Sequence, residues 1–166
     1  MVRILPEEEP CADGGRARRW RSVPRRQSSF SARRPAAQAD DGTFTLLSTV
    51  MTGAQEAPGP GDPDGRGAFA AVVKGDRLCY AMYADRIETA TAAHIHAAPV
   101  GVPGGIVVGL EVPNRFSAAC STAVPDDQNS TTTLTQSELA AIVANPAGFY
   151  VNVHNADFQG GAIRGQ

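Results

Sequence analysis

From Arg77 to Ala84 the chain alternates: Leu78, Tyr80 and Met82 fall on one side, Cys79, Ala81 and Tyr83 on the other. A side-chain period of two belongs to an extended strand with one face turned to a core. Similar short runs follow one another from Gly42 onward, separated by turns bearing glycine and proline. Thr43 to Met51 is β-branched and apolar and reads as a first strand. Residues 52–67 read as a loop, and Ala68 to Val73 as a second strand, joined through Lys74-Gly75-Asp76 to Arg77–Ala84 as a β-hairpin. Thr91 to Ala97, Ile106 to Val112, Phe149 to His154 and Ala162 to Gly165 read as further strands. Asn114 to Ser130 reads as polar and irregular, and Thr131 to Leu134 extends into a short strand at most.

One helix is legible. Thr135 stands three residues before Glu138, the spacing of a capping box, in which each side chain takes the other residue's backbone amide. Leu139, Ile142 and Val143 then form an apolar stripe, and Asn145-Pro146 stops the helix because the residue before proline leaves helical geometry. Short strands, tight turns and one short helix near 136–144 predict an all-β fold: a Greek-key-like antiparallel sandwich or barrel.

Residues 1–40 differ in kind. They carry nine arginines against five acidic residues, whereas residues 41–166 carry six basic and twelve acidic ones. Their few apolar residues are not periodic, so this segment cannot bury enough surface to offset its chain entropy. Ala37-Gln38-Ala39 has the small-x-small form of a signal-peptidase site, yet no apolar h-region precedes it. The expectation is a disordered Arg/Pro-rich tail or a misassigned leader over 1–40, and one domain over 43–166. Nucleic-acid binding through the arginines ranks below both. No run approaches the ~18 apolar residues of a membrane-spanning helix.

With Cys11 in the tail, the domain holds Cys79 and Cys120. They read either as one disulfide or as two buried thiols. Asn129-Ser130-Thr131 fits the glycosylation sequon.

The chain has three histidines. His94 and His96 are two apart in a strand and so share a face; His154 ends a strand in which it shares a face with Tyr150 and Asn152. Together they form either a three-imidazole metal site, a hydrogen-bonded cluster, or separated packing residues. Neutral imidazole suits copper or zinc, and the lack of carboxylates disfavours calcium and magnesium. Three ligands would leave an open position, as in exchange or catalytic sites. No G-x-S-x-G, P-loop or C-x-x-C occurs, and no serine stands in a nucleophile turn. Glu56 and Arg164, in glycine-bounded motifs near the two ends of the domain, read either as an ion pair across closing strands or as two separate surface charges.

Thr52-Gly53-Ala54-Gln55-Glu56-Ala57-Pro58, Leu78-Cys79-Tyr80, Thr91-Ala92-Ala93-His94-Ile95-His96, Tyr150-Val151-Asn152-Val153-His154 and Gly160-Gly161-Ala162-Ile163-Arg164-Gly165-Gln166 resemble, in that order, the CHRD (chordin-type) domain family. Ala97 and Ala162 depart from it, standing where relatives usually carry glycine or a basic residue and an acidic residue. The resemblance implies a β-sandwich outside the cytosol, secreted, periplasmic or on the cell surface, and it favours the Cys79–Cys120 disulfide. It makes Gln55, Glu56, Asn152 and Arg164 structural motif residues. The His-Ile-His strand is also similar to the copper-binding strand of copper/zinc superoxide dismutases, but three histidines are too few for a bridged two-metal site. The expected function is a non-catalytic binding module with an extracellular protein or ligand as partner and no nucleic acid, with a copper- or zinc-handling or redox protein, or a purely structural surface domain, as alternatives.

Overall fold

A computed structural model describes residues 42–130 and 132–166. The tail or leader expected over 1–40, with Cys11, and the third position of the sequon lie outside the described residues. Eight strands form: β1 (Thr45–Thr52), β2 (Arg66–Lys74), β3 (Arg77–Asp85), β4 (Ala90–Ala97), β5 (Gly105–Gly109), β6 (Phe116–Thr122), β7 (Phe149–Asn155) and β8 (Ile163–Gly165), with one α-helix, α1 (Gln136–Ala144). They make a single antiparallel sheet in the order β5-β4-β7-β8-β1-β2-β3-β6, which curls into a half-barrel. The connections β3–β4, β5–β6 and β6–β7 cross between its two halves, and β8 joins them by pairing with both β7 and β1.

The period-two reading of Arg77–Ala84 holds in detail. Leu78, Tyr80, Met82 and Ala84 are buried while Arg77 and Ala81 are exposed. They share one core with Met51 and Phe69 of the neighbouring strands and with Ile95, Val108, Val153 and Ile163. Each such side chain, once removed from water, contributes roughly 1.5–3 kcal/mol. Helix α1 closes the core with Leu139 and Ile142. Its capping box is complete: Thr135 Oγ1 accepts from the Glu138 amide at 3.3 Å, and the Thr135 amide donates to Glu138 Oε2 at 2.9 Å.

Two local expectations fail. Phe116–Thr122, read as irregular, is the edge strand β6. Its residues are mostly small or polar and neither of its faces is fully buried, so no apolar alternation marks it; pairing with β3 over the whole of its length sets its geometry instead. Thr133, expected in a short strand, makes only an isolated bridge to Ser130, and the buried residue of that stretch, Leu134, packs without a strand around it.

Cys79 and Cys120 are register partners across β3 and β6 and form a disulfide spanning 41 residues of sequence. Closing a loop of that size restrains the unfolded chain by about 4 kcal/mol in the loop-entropy account. The double substitution Cys79→Ser/Cys120→Ser is expected to lower the unfolding free energy by about 2–4 kcal/mol in urea titration; an unchanged midpoint would show that the sheet alone holds β6.

Candidate metal centre

The site is built on the pairing of β4 with β7. In that register His94 stands opposite Asn152, His96 opposite Tyr150, and Ala92 opposite His154. On each strand the intervening residues, Ala93 and Ile95, Val151 and Val153, point into the core. The histidines therefore all emerge on the outer side, where the antiparallel pairing sets His154 diagonally beside His94. All three sequence-expected ligands come together: one nitrogen from each lies within 4.8 Å of the others. Three atoms so spaced lie within about 2.8 Å of a common point, against about 2.0–2.1 Å for a zinc–imidazole bond.

The hydrogen bonds decide which nitrogens face inward. His96 Nδ1 is 3.0 Å from the Gly104 carbonyl, and His154 Nδ1 is 2.9 Å from the Gln159 carbonyl. A carbonyl only accepts, so both Nδ1 atoms carry the proton and both Nε2 atoms present a lone pair when the ring is neutral. This is the outer-shell arrangement that fixes metal-binding imidazoles. His94 Nδ1 is 3.2 Å from His154 Nε2. His96 Nε2 is buried and has no hydrogen-bond partner. Burial, then the neighbouring His154 and His96, push the His94 pKa down to about 4; burial likewise lowers that of His96. These two rings are thus neutral near pH 7, the form a metal needs.

The motif residues frame the cluster. The His96 ring stacks on Tyr150 at 4.7 Å with 2° between the planes, and the Arg164 guanidinium lies 3.5 Å from the centroid of the same ring. Arg164 is fully buried and donates to the carbonyls of Val102 and Pro99, both at 2.9 Å. Asn152, also buried, places Oδ1 3.1 Å from His154 Nε2. Gln55 is exposed and stands apart from the cluster; its side chain ties the end of β1, donating to Val50 O at 3.0 Å and Thr52 Oγ1 at 3.2 Å.

Neither sequence reading of Glu56 and Arg164 holds. No ion pair within 4.0 Å joins them among the described residues, and neither is a free surface charge. Burial raises the Glu56 carboxyl to about 7, against the charge of Arg164, the Ala57 amide and the Asn152 side chain, which all pull it down. Gly161, at φ +141°, lies where any β-carbon would run into that carboxylate. The positive φ of the second glycine of the Gly160-Gly161 pair is what calls for glycine there; a β-carbon would in addition displace the Glu56 carboxylate.

Sequence reasoning missed the groups that set the tautomers, the carbonyls of Gly104 and Gln159, because any residue offers a carbonyl and only the folded loops aim it.

Fold and site together define a disulfide-closed antiparallel β domain that carries an imidazole cluster on its outer face. A family model for the CHRD domain matches residues 47–166, and the chain belongs to that family. No curated protein and no solved structure matches it. Among the described residues no helix is long and apolar enough to cross a membrane.

The depressed His94 pKa makes a signed prediction. The unfolded chain takes up this proton near pH 6.5 and the folded chain only near 4. Between those values the unfolded state holds more protons, so stability falls as the pH falls. The His94→Gln variant lacks this loss. Relative to it, wild-type unfolding free energy is expected to drop by about 1–2 kcal/mol from pH 7 to 4, less than the full shift implies because the ring keeps some solvent. Parallel stability curves for the two proteins would refute the assignment.

Proposed function

We propose that this CHRD domain is an extracytoplasmic, non-catalytic binding module that holds copper or zinc through His94, His96 and His154. The observation that carries the reading is His96 Nε2: a buried lone pair without a partner in a group of three imidazoles drawn from two strands. Leaving such an acceptor unsatisfied costs about 1–3 kcal/mol, a cost that a bound cation removes. The ligand set is all nitrogen, which suits copper and zinc over magnesium and calcium. With three protein ligands, the fourth position is open to water or a partner's donor, the pattern of an exchange site. The metal supplies a Lewis-acidic centre there; the chain supplies orientation through the Gly104 and Gln159 carbonyls.

The disulfide supports a location outside the cytosol, where such bonds persist.

The test is a titration of the purified chain with zinc and with copper(II) at pH 7.5, read by elemental analysis after desalting and by melting temperature. One equivalent bound and a raised melting temperature are expected. His96→Ala, which removes the unpartnered nitrogen, is expected to weaken binding at least tenfold, and occupancy is expected to fall on acidification as protons compete for the rings. Wild-type protein that retains no metal and shows no shift would end the proposal.

A further inference from the structure

The outer side of β1, β2, β3 and β6 carries three successive rows of uncharged side chains. In the register of these strands the middle row reads Ser48, Ala70, Ala81 and Ala118, all exposed and all small. The row on one side of it ends in Tyr83 and Phe116, whose rings lie 4.8 Å apart, the second 70% exposed. The row on the other side ends in the Cys79–Cys120 disulfide, with Val72 next to it. Beyond these rows charge returns at both ends: Arg66 and Asp85 pair across β2 and β3 at one, Lys74 and Arg77 at the other. Contiguous apolar surface marks an interaction site, and an apolar centre inside a charged rim is the anatomy of a protein interface.

The size of the face suits a second folded domain. Four strands about 4.8 Å apart, each presenting five outward rows, make a face of about 600 Å² in projection. Side-chain relief brings this near the roughly 800 Å² that each partner of a stable pair buries.

Relief and charge are also self-complementary. A two-fold axis lying across the strands through the middle row reverses the order of the rows and stacks each strand on its own copy. Ala81 then meets the partner's Ala81 at the axis. Tyr83 comes over the partner's Cys79, Phe116 over the partner's Cys120 and Val72 over the partner's Ala68, so that a larger side chain meets a smaller one each time. Asp85 stands over the partner's Arg77, and symmetry makes that pair twice. The like-charge opposition, Arg66 with the partner's Lys74, is relieved by Asp85, which is 4.0 Å from Arg66. A lipid surface would offer nothing to Asp85, whereas a second copy offers Arg77.

We propose that the outer face of β1, β2, β3 and β6 is an isologous dimer interface, centred on Ala81 and closed at both ends by Asp85–Arg77 pairs between copies. The strands concerned carry none of the three histidines, so the pairing leaves the imidazole cluster of each copy on other strands. It also gives the disulfide a second role, as the floor on which the partner's aromatic pair rests.

The experiment is sedimentation velocity of the full chain between about 1 and 100 μM, the weak end of the affinities found for interfaces of this class, with a chelator present so that metal bridging plays no part. A mass that rises with concentration toward that of the dimer is expected. Ala81→Glu sets two carboxylates together at the axis and is expected to raise the dissociation constant about tenfold or more. Arg77→Glu is expected to weaken the dimer, and Arg77→Glu/Asp85→Arg, which reverses the pair, to restore it. These side chains lie on the solvent side of the sheet, and an unchanged far-ultraviolet spectrum checks that each variant folds; if Ala81→Glu does not, Phe116→Ser replaces it with the same expectation. A chain that stays monomeric throughout, a dimer that Ala81→Glu leaves within twofold of wild type, or a charge-reversed double variant no better than Arg77→Glu overturns the inference. So does a monomer that floats with phosphatidylserine vesicles in the wild type and not in Ala81→Glu, since the face then takes lipid.

Discussion

Everything at the site follows from the register in which β4 pairs with β7. With His94 opposite Asn152 and His96 opposite Tyr150, the outer side of two neighbouring strands becomes polar and aromatic while the inner side stays apolar. A slip of one residue would exchange the faces, burying the imidazoles in the core and exposing Ile95, Val151 and Val153. The core thus enforces the site: the alternation that hides four aliphatic or small side chains also aligns the histidines. The stability of this register and the proximity of the rings are one fact seen from the two faces of a sheet.

Electrostatics around the cluster are set by burial more than by charge pairing. Burial drives His94 down and Glu56 up. Their effects on folding therefore have opposite signs over overlapping ranges. As the pH falls through the region from 7 to 4.5, the folded state gains by protonating Glu56, whose unfolded counterpart still holds its charge. Over 6.5 to 4 it loses by keeping His94 neutral while the unfolded chain charges. The two partly cancel, so a flat wild-type profile is compatible with both shifts being present. Near pH 7.5 the same burial leaves two imidazoles neutral and brings the Glu56 carboxyl close to its own titration.

The sequence made the fold class, the helix with its cap, and seven of the eight strands legible, because each rests on local chemistry: period-two alternation, a capping box, turn glycines. It also brought out all three histidines, since a strand's geometry places His94 and His96 together without reference to the rest of the chain. β6 escaped because an edge strand of small and polar residues has no apolar face to show; partner strand and disulfide define it. Glu56 and Arg164 were visible as motif residues, but their roles were not. Opposite charges in closing strands invite an ion-pair reading, whereas the fold gives the guanidinium to a tyrosine ring and two carbonyls and lays the half-buried carboxylate against a glycine, where the Arg164 charge acts on it without a contact.

That use of Arg164 also explains why the last residues of the chain matter to a cluster they do not join. Arg164 and Gln166 together hold the segment after β4: Arg164 donates to Pro99 and Val102, and Gln166 Nε2 to the Ala98 carbonyl at 2.9 Å. The same segment ends at Gly104, whose amide donates to the Tyr150 hydroxyl at 3.1 Å and whose carbonyl fixes the proton on His96. Tyr150 receives His96 and Arg164 on its ring. A buried guanidinium is costly unless its donors are met, and here backbone carbonyls of one loop meet them. The price of burying Arg164 is thus offset by ordering that loop, and an ordered loop is what leaves a single nitrogen of His96 facing the other two rings.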